Sequence, residues 1–319
     1  MNAVINVVRA EAFKVARKRR LYLLAGLYWV IAPLIALIVA RVLFTNLSGS
    51  FIDDQVSVVQ AIRSFASPHG LATFLLSVPS YVSPTFYMVA IALITALLIG
   101  EERGQNMWKT VLVVQPNRLA VLGGKLIVAM GAVGVLMLGA LVSALLFGAV
   151  GTLFLPTDFS GTWGNVLGLY ALQWALTLAP IALAFLLVFL VRSAVLGIVM
   201  VLFLPGLIET IYTILNTIGQ LQPLNRFNAI FQALRLQQAW EAMPRYFFTT
   251  NLYGPARAPL GGVAQELFTA GGGSAQDMGP FAALLGGGLS IQHNTLVMAG
   301  YAAVFLALLT LAFLRRDVD

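Results

Sequence analysis

The chain has 319 residues, 60% of them hydrophobic and 10% charged, with a formal net charge of +7. Soluble domains carry about 25% charged residues, so this composition excludes a water-covered globule and fits one whose surface meets lipid. Cysteine is absent and the two histidines, His69 and His293, lie far apart, which excludes disulfides and thiolate catalysis and argues against a Cys- or His-built metal centre.

The first predicted element is the amphipathic helix 3–20. At 100° per residue, Val4, Ile5, Val8, Ala12, Val15 and Ala16 share one face, and Arg9, Glu11, Lys14, Arg17, Lys18 and Arg20 the other. Val7 and Phe13 break the polar face, and Arg19 intrudes on the apolar one. The pattern fits an interfacial helix held against anionic lipid by its basic residues. It also fits a helix whose polar face, with Phe13, docks a cytoplasmic partner.

Crossing a bilayer takes about 20 apolar residues. Leu21–Phe44 gives the first span, with Pro33 predicting a kink; it is about twice a signal-peptide apolar region and is expected to stay uncleaved. A mixed segment, Thr45–Tyr81, holds Asp53, Asp54, Arg63 and Pro68. Further spans are expected at Val82–Gly100, Leu126–Leu153, Val166–Val191, Ala194–Leu215 and Thr295–Leu314. The fold class is all-α: one transmembrane domain over residues 1–319, with six spanning helices and an N-terminal amphipathic interface helix.

Residues 216–294 form a long segment before the last span. Within it Phe227–Trp240 predicts an amphipathic surface helix and the Gly- and Pro-rich Arg245–Asp277 an irregular, mobile stretch. Ala282–Leu289 is short enough to be re-entrant or interfacial. With the N-terminus inside, 13 of the 19 lysines and arginines fall on cytoplasmic pieces, chiefly residues 1–20 and 101–125. The positive-inside rule therefore places both termini in the cytoplasm, segment 216–294 outside, and lipid rather than nucleic acid beside the basic clusters.

One acid stands inside a span. Glu209 lies about 16 residues into the fifth, roughly 24 Å from its start at 1.5 Å per residue, after Pro205-Gly206. Buried charge in a membrane is usually functional or paired. Glu209 thus either lines a cavity or caps a helix broken at Pro205, with Tyr212 and Asn216 one and two turns on as hydrogen-bond partners.

The segment Gly100–Lys125 is about 25 residues long, where connectors between adjacent helices take about 2 to 8. Glu101-Glu102 opens it, Gly104 permits a turn, Asn106–Val114 predicts a short helix, and Pro116 ends that helix. Such a helix lying along the membrane is a mechanical handle. Its run Glu102-Arg103-Gly104-Gln105-Asn106-Met107-Trp108-Lys109-Thr110, then Pro116-Asn117-Arg118 and Gly124-Lys125, resembles the coupling segment of type 2 ABC exporter permeases. Glu11-x-x-Lys14 before a basic cluster resembles their N-terminal interface helix, and the Trp-Lys pair is most similar to the bacitracin-resistance and lantibiotic-immunity permeases. Met107 stands where these often have Thr, and Arg118 follows Asn117 without the usual small residue.

The resemblance implies a bacterial cytoplasmic-membrane permease that binds no cofactor. ATP and Mg would sit on a separate ATPase subunit, in keeping with the absence of a G-x-x-x-x-G-K-[ST] phosphate loop here. Two ATPase chains would join two permease chains, this one and a second identical or related copy. By matched position it assigns the ATPase contact to Glu101, Glu102, Arg103, Trp108, Lys109 and Arg118, supported by Arg9, Glu11 and Lys14. The rival class, a stand-alone secondary transporter or channel, needs charged groups near the midplane that the spans barely offer. A membrane-embedded enzyme finds no catalytic motif.

Overall fold

The computed structural model describes residues 2–47, 66–77, 85–104, 113, 117–191, 193–220, 237–270 and 289–315. Among the described residues every regular element is helical. Helix α1 (Asn2–Ala16) turns at Arg17 and Lys18 into the first span, made of α2 (Arg19–Gly26), a widened π turn (Leu27–Ile31) and α3 (Ala32–Leu47). The π turn is how the span takes up Pro33. Proline has no N–H for the carbonyl four residues back, here that of Trp29, which instead accepts from the Ser143 hydroxyl of a neighbouring span. The helix continues through to Leu47.

The second span is α5 (Phe86–Thr95) with a second π turn (Ala96–Gly100), and the short α6 (Glu101–Gly104) follows at its end. Thr85 caps α5, its hydroxyl accepting from the Met88 N–H at 3.3 Å. The third span is α7 (Arg118–Gly151), the fourth α8 (Trp163–Leu176) with α9 (Leu178–Val191), the fifth α10 (Ala194–Gln220) and the sixth α13 (Ile291–Arg315). Five of these stretches are long and apolar enough to cross a membrane, and Phe86–Gly100 is a shorter apolar helix. The chain is thus an all-α, polytopic membrane protein.

Helix α7 starts eight residues before the third predicted span because Asn117 caps it, its side-chain oxygen accepting from the Ala120 N–H at 3.1 Å. Its 34 residues reach roughly 51 Å, well beyond a hydrocarbon core about 30 Å thick. With α9 it forms the middle of the bundle: α7 packs against α1, α3, α5, α8 and a further helix, α4 (Pro68–Ser77), and α9 against α5, α10 and α13.

Three expectations need correction. Pro205 does not break the fifth span; it lies inside a continuous α10. The mixed segment contains a buried helix, α4 (Pro68–Ser77). Ser67 starts it by accepting from the Gly70 N–H at 3.0 Å, and Pro68 suits a first turn that has no use for its N–H. At its other end the Tyr28 and Tyr87 hydroxyls donate to the carbonyls of Leu75 and Leu76 at 2.5 and 2.7 Å. With both ends satisfied, ten residues are held against α7, where Gly148 lets Pro68 so close that a Cβ would lie 2.5 Å from its Cα.

The third correction is the stretch expected to be irregular. It contains α12 (Phe248–Ala270), helical through Pro255 and Pro259. Asn251, Leu252, Tyr253 and Ala256 are buried on one side of it, and packing against α4, α8 and α13 outweighs the weak propensity of glycine and proline. Of the predicted surface helix Phe227–Trp240, residues 227–236 lie outside the described residues, and the rest opens α11 (Gln237–Ala242). Residues 271–277 and the short segment Ala282–Leu289, apart from Leu289, also lie outside them.

Candidate functional site

Helix α1 lies along the start of α7, and the approach depends on Gly124, where a Cβ would meet Val7 Cγ1 at 2.6 Å. Val7, Val8 and Val15 face the bundle, and so does Glu11, only 7% exposed. This corrects the helical wheel: the inward stripe contains a carboxylate, tolerated because a cation waits beneath it. That cation is Lys125, the residue after Gly124, which is fully buried.

Lys125 gathers three elements. Its ammonium donates to the Glu11 carboxylate of α1 and, at 2.8 Å, to the Leu98 carbonyl of the second π turn. It also lies 2.8 Å from Glu102 Oε2 of α6. Lys14 closes the ring, donating to Glu102 Oε1 at 2.8 Å and standing 3.7 Å from Glu11 Oε2. Two lysines and two glutamates thus form a neutral, largely buried set that joins α1, the end of the second span and the start of the third. Outside it, Lys18 pairs with the half-exposed Glu101.

The two glutamates titrate in opposite directions. Burial pushes Glu11 above the ordinary value of 4.5, against the pull of Lys125. Burial also acts to raise Glu102, but the charge of Lys125 and the hydrogen bonds of Lys125 and Lys14 outweigh it and hold Glu102 below that value. Paired on one lysine, the carboxylates differ because Glu102 has a second close ammonium, whereas Lys14 stands farther from Glu11.

Arg118 turns back to the last turn of α13, donating to the carbonyls of Phe313 and Leu314 at 3.4 and 3.3 Å, where a cation also complements the helix dipole. Arg9 is exposed on α1 and Arg103 belongs to α6. Trp108 and Lys109 lie outside the described residues. Lys125 was missed as a site residue. Its signal was the Gly124-Lys125 pair, a close-approach residue beside a lone cation eight residues into a helix.

At the far end of the bundle, Glu209 accepts from the Thr249 N–H at 2.7 Å and from the Thr249 hydroxyl. It therefore caps the first turn of α12, not a break in its own helix. Tyr212 and Asn216 are not its partners: the Tyr212 hydroxyl donates to the Trp240 carbonyl at 2.8 Å, and the Trp240 indole donates to Asn216 at 3.3 Å. Beside this cap the Tyr253 hydroxyl of α12 meets Thr85, tying α12 to the start of the second span.

Residues 7–208 match the family model described as ABC-2 family transporter protein. The chain belongs to the ABC-2 transporter family. No curated protein matches it at a significant level. The matched region holds most of α1, the Lys125 set and the first five spans as far as Ile208, while α12 and α13 lie beyond it. As an ABC-2 permease the chain is a multi-pass transmembrane subunit of an ABC transporter, and membership implies an ABC ATPase as its partner. In this ABC-2 permease Gly124 lets α1 touch α7, and Lys125 pins it there.

Proposed function

We propose that this ABC-2 permease is the membrane half of an ATP-driven exporter in a bacterial cytoplasmic membrane, with both termini on the cytoplasmic side. Two permease chains, identical or related, pair with two ATPase subunits, which bind ATP and Mg; the permease holds no cofactor. Residues 105–116, whose Trp108-Lys109 pair resembles that of the bacitracin-resistance and lantibiotic-immunity permeases, seat in the ATPase. Trp108 is the apolar anchor of that joint, and Lys109, Arg103, Glu101 and Arg9 offer charges around it.

The observation that carries this reading is the Glu11–Lys125–Glu102–Lys14 set. It fastens α1 to both spans that flank residues 105–116, so a push on that segment is delivered to the second and third spans together. Arg118 extends the same frame to the end of the sixth. Glu11, Glu102 and Arg118 act here by bracing the joint. ATPase closure then tilts the spans and alternates access to a path between the two permeases. The largely apolar spans suit an amphipathic, lipid-like or peptide-like cargo. Glu209 and the α12 it caps form a re-entrant plug at the external face.

Co-purification tests the assignment. A tagged permease in mild detergent should bring down an ATPase subunit and raise its hydrolysis, and Trp108→Ala with Lys109→Ala should abolish both while the chain still inserts. A permease that retains no ATPase and stimulates none overturns the reading. Normal association of the double variant overturns the placement of the joint.

A further inference from the structure

A groove of about 490 Å³ opens between α1, the first span and α7, lined by Val15, Ala16, Tyr22, Trp29, Gly131 and Val135 among others. The volume is that of a small-molecule site, typically about 300–1,000 Å³, but the walls offer little to a polar ligand. The Trp29 indole N–H is taken by the Leu136 carbonyl at 2.8 Å and the Tyr22 hydroxyl by the Ala16 carbonyl at 2.5 Å. Gly131 leaves one wall open, since a Cβ there would meet nothing within 4 Å.

The rim has the opposite character. Where α1 turns into α2, Arg17, Arg19 and Arg20 are all exposed, immediately beside the lining residues Ala16, Leu21 and Tyr22. The lysines of the same stretch, Lys14 and Lys18, are paired with glutamates. The three arginines face no carboxylate among the described residues, and Arg17 instead stacks 4.0 Å above the Phe13 ring. An apolar slot under a cationic rim, on a helix of interfacial pattern, matches a hydrocarbon chain that carries an anionic head.

We propose that this groove binds one anionic phospholipid of the leaflet on which α1 lies, with an acyl chain in the slot and the phosphate against Arg17, Arg19 and Arg20. Diffuse attraction of a basic helix to the membrane requires no slot; this site is saturable and depends on the shape of α7 at Gly131. Because α1 is both a wall of the slot and the carrier of Glu11 and Lys14, the lipid presses the charged set together, and removing it loosens α1 from α7. The proposal rests on the topology given above but not on the ATPase.

Native mass spectrometry of the full chain, released from nanodiscs of mixed phosphatidylglycerol and phosphatidylcholine, tests it. Wild type should retain one phosphatidylglycerol per chain with at least tenfold preference over phosphatidylcholine. Gly131→Leu should lower that retention at least tenfold by filling the slot, and so should Arg17→Gln/Arg19→Gln/Arg20→Gln by removing the rim. Gly168→Leu, at an equally open position on α8, should leave it unchanged. Equal retention of the two lipids, full retention by Gly131→Leu, or a lipid-free dimer whose second chain covers the groove overturns the proposal. ATPase association is read separately, so lost lipid with intact coupling removes only this site, and bound lipid without any ATPase removes only the transport reading.

Discussion

At the α1 end of the bundle, Glu11 and Glu102 are held by ammonium groups; at the far end, Glu209 is held by an N–H and a hydroxyl of Thr249. The first arrangement joins elements from opposite sides of a long segment through full charges, so removing any member strands another in a poorly solvated place. The second joins one side chain to one helix start through dipoles, and its loss stays local. The difference suits the roles proposed for the two ends. A joint that transmits force needs a set that holds or fails as a whole, whereas a plug needs only a hinge.

Four measurements sharpen or break this contrast. The largest effect is expected from Lys125→Met, which leaves two carboxylates without their shared partner; losing one member of a buried ion pair destabilises by about 3–5 kcal/mol. Denaturant titration in detergent checks it. Adding Glu11→Gln and Glu102→Gln should recover most of the loss, because neutral replacement of buried paired charges is often well tolerated and the remaining Lys14 is partly exposed to solvent. Failure to recover would mean that Lys125 acts by filling space rather than by charge.

Next comes Gly124→Val, which drives side-chain atoms into Val7. Overpacking of this kind destabilises by about 1–3 kcal/mol, and here it should appear as faster hydrogen exchange in residues 2–16. Glu209→Ala removes the α12 cap, with an expected loss of about 0.5–2 kcal/mol. Exchange should rise at residues 248–256 and stay unchanged in α1. A change at both ends would erase the distinction between joint and hinge.

The last measurement is pH dependence. Glu11 is raised, so its contribution to stability is fully present below the ordinary 4.5 and is lost as pH rises through its higher folded value. Glu102 is lowered, so its contribution is present above 4.5 and is lost as pH falls through its lower folded value. Together they give a stability component that peaks near the ordinary carboxylate value. Comparing pH profiles of wild type with Glu11→Gln, which should flatten the alkaline limb, and Glu102→Gln, which should flatten the acid limb, checks the assignment.

The spans were legible because each is a run of about 20 apolar residues, a signal that needs no knowledge of neighbours. Helix α4 was not, because ten residues do not span and its stability comes from the hydroxyls of Tyr28 and Tyr87. Yet Ser67-Pro68 before an apolar run was a usable start signal. Helix α12 was hidden by Pro255, Pro259 and its glycines, whose propensities describe an isolated chain and not one buried against its neighbours α4, α8 and α13. At the site, Glu102, Glu11 and Lys14 stood out as charges beside apolar runs, but their inward direction depends on Lys125, far along the chain. Glu209 was legible as the acid in a span, while its true partner lay in the stretch expected to be irregular.

Glu11 and Lys125 are 114 residues apart, and that separation sets an order on how the protein is made. The N-terminal helix, both glutamates and Lys14 all leave the ribosome before Lys125 does. Until α7 has entered the membrane, the early part of the nascent chain lacks the cation that seats α1, and only Lys14 and Lys18 are at hand to pair with its glutamates. Docking of α1 is therefore a late step that reports arrival of the third span. Chains arrested before and after that point should differ in protease access to residues 2–16.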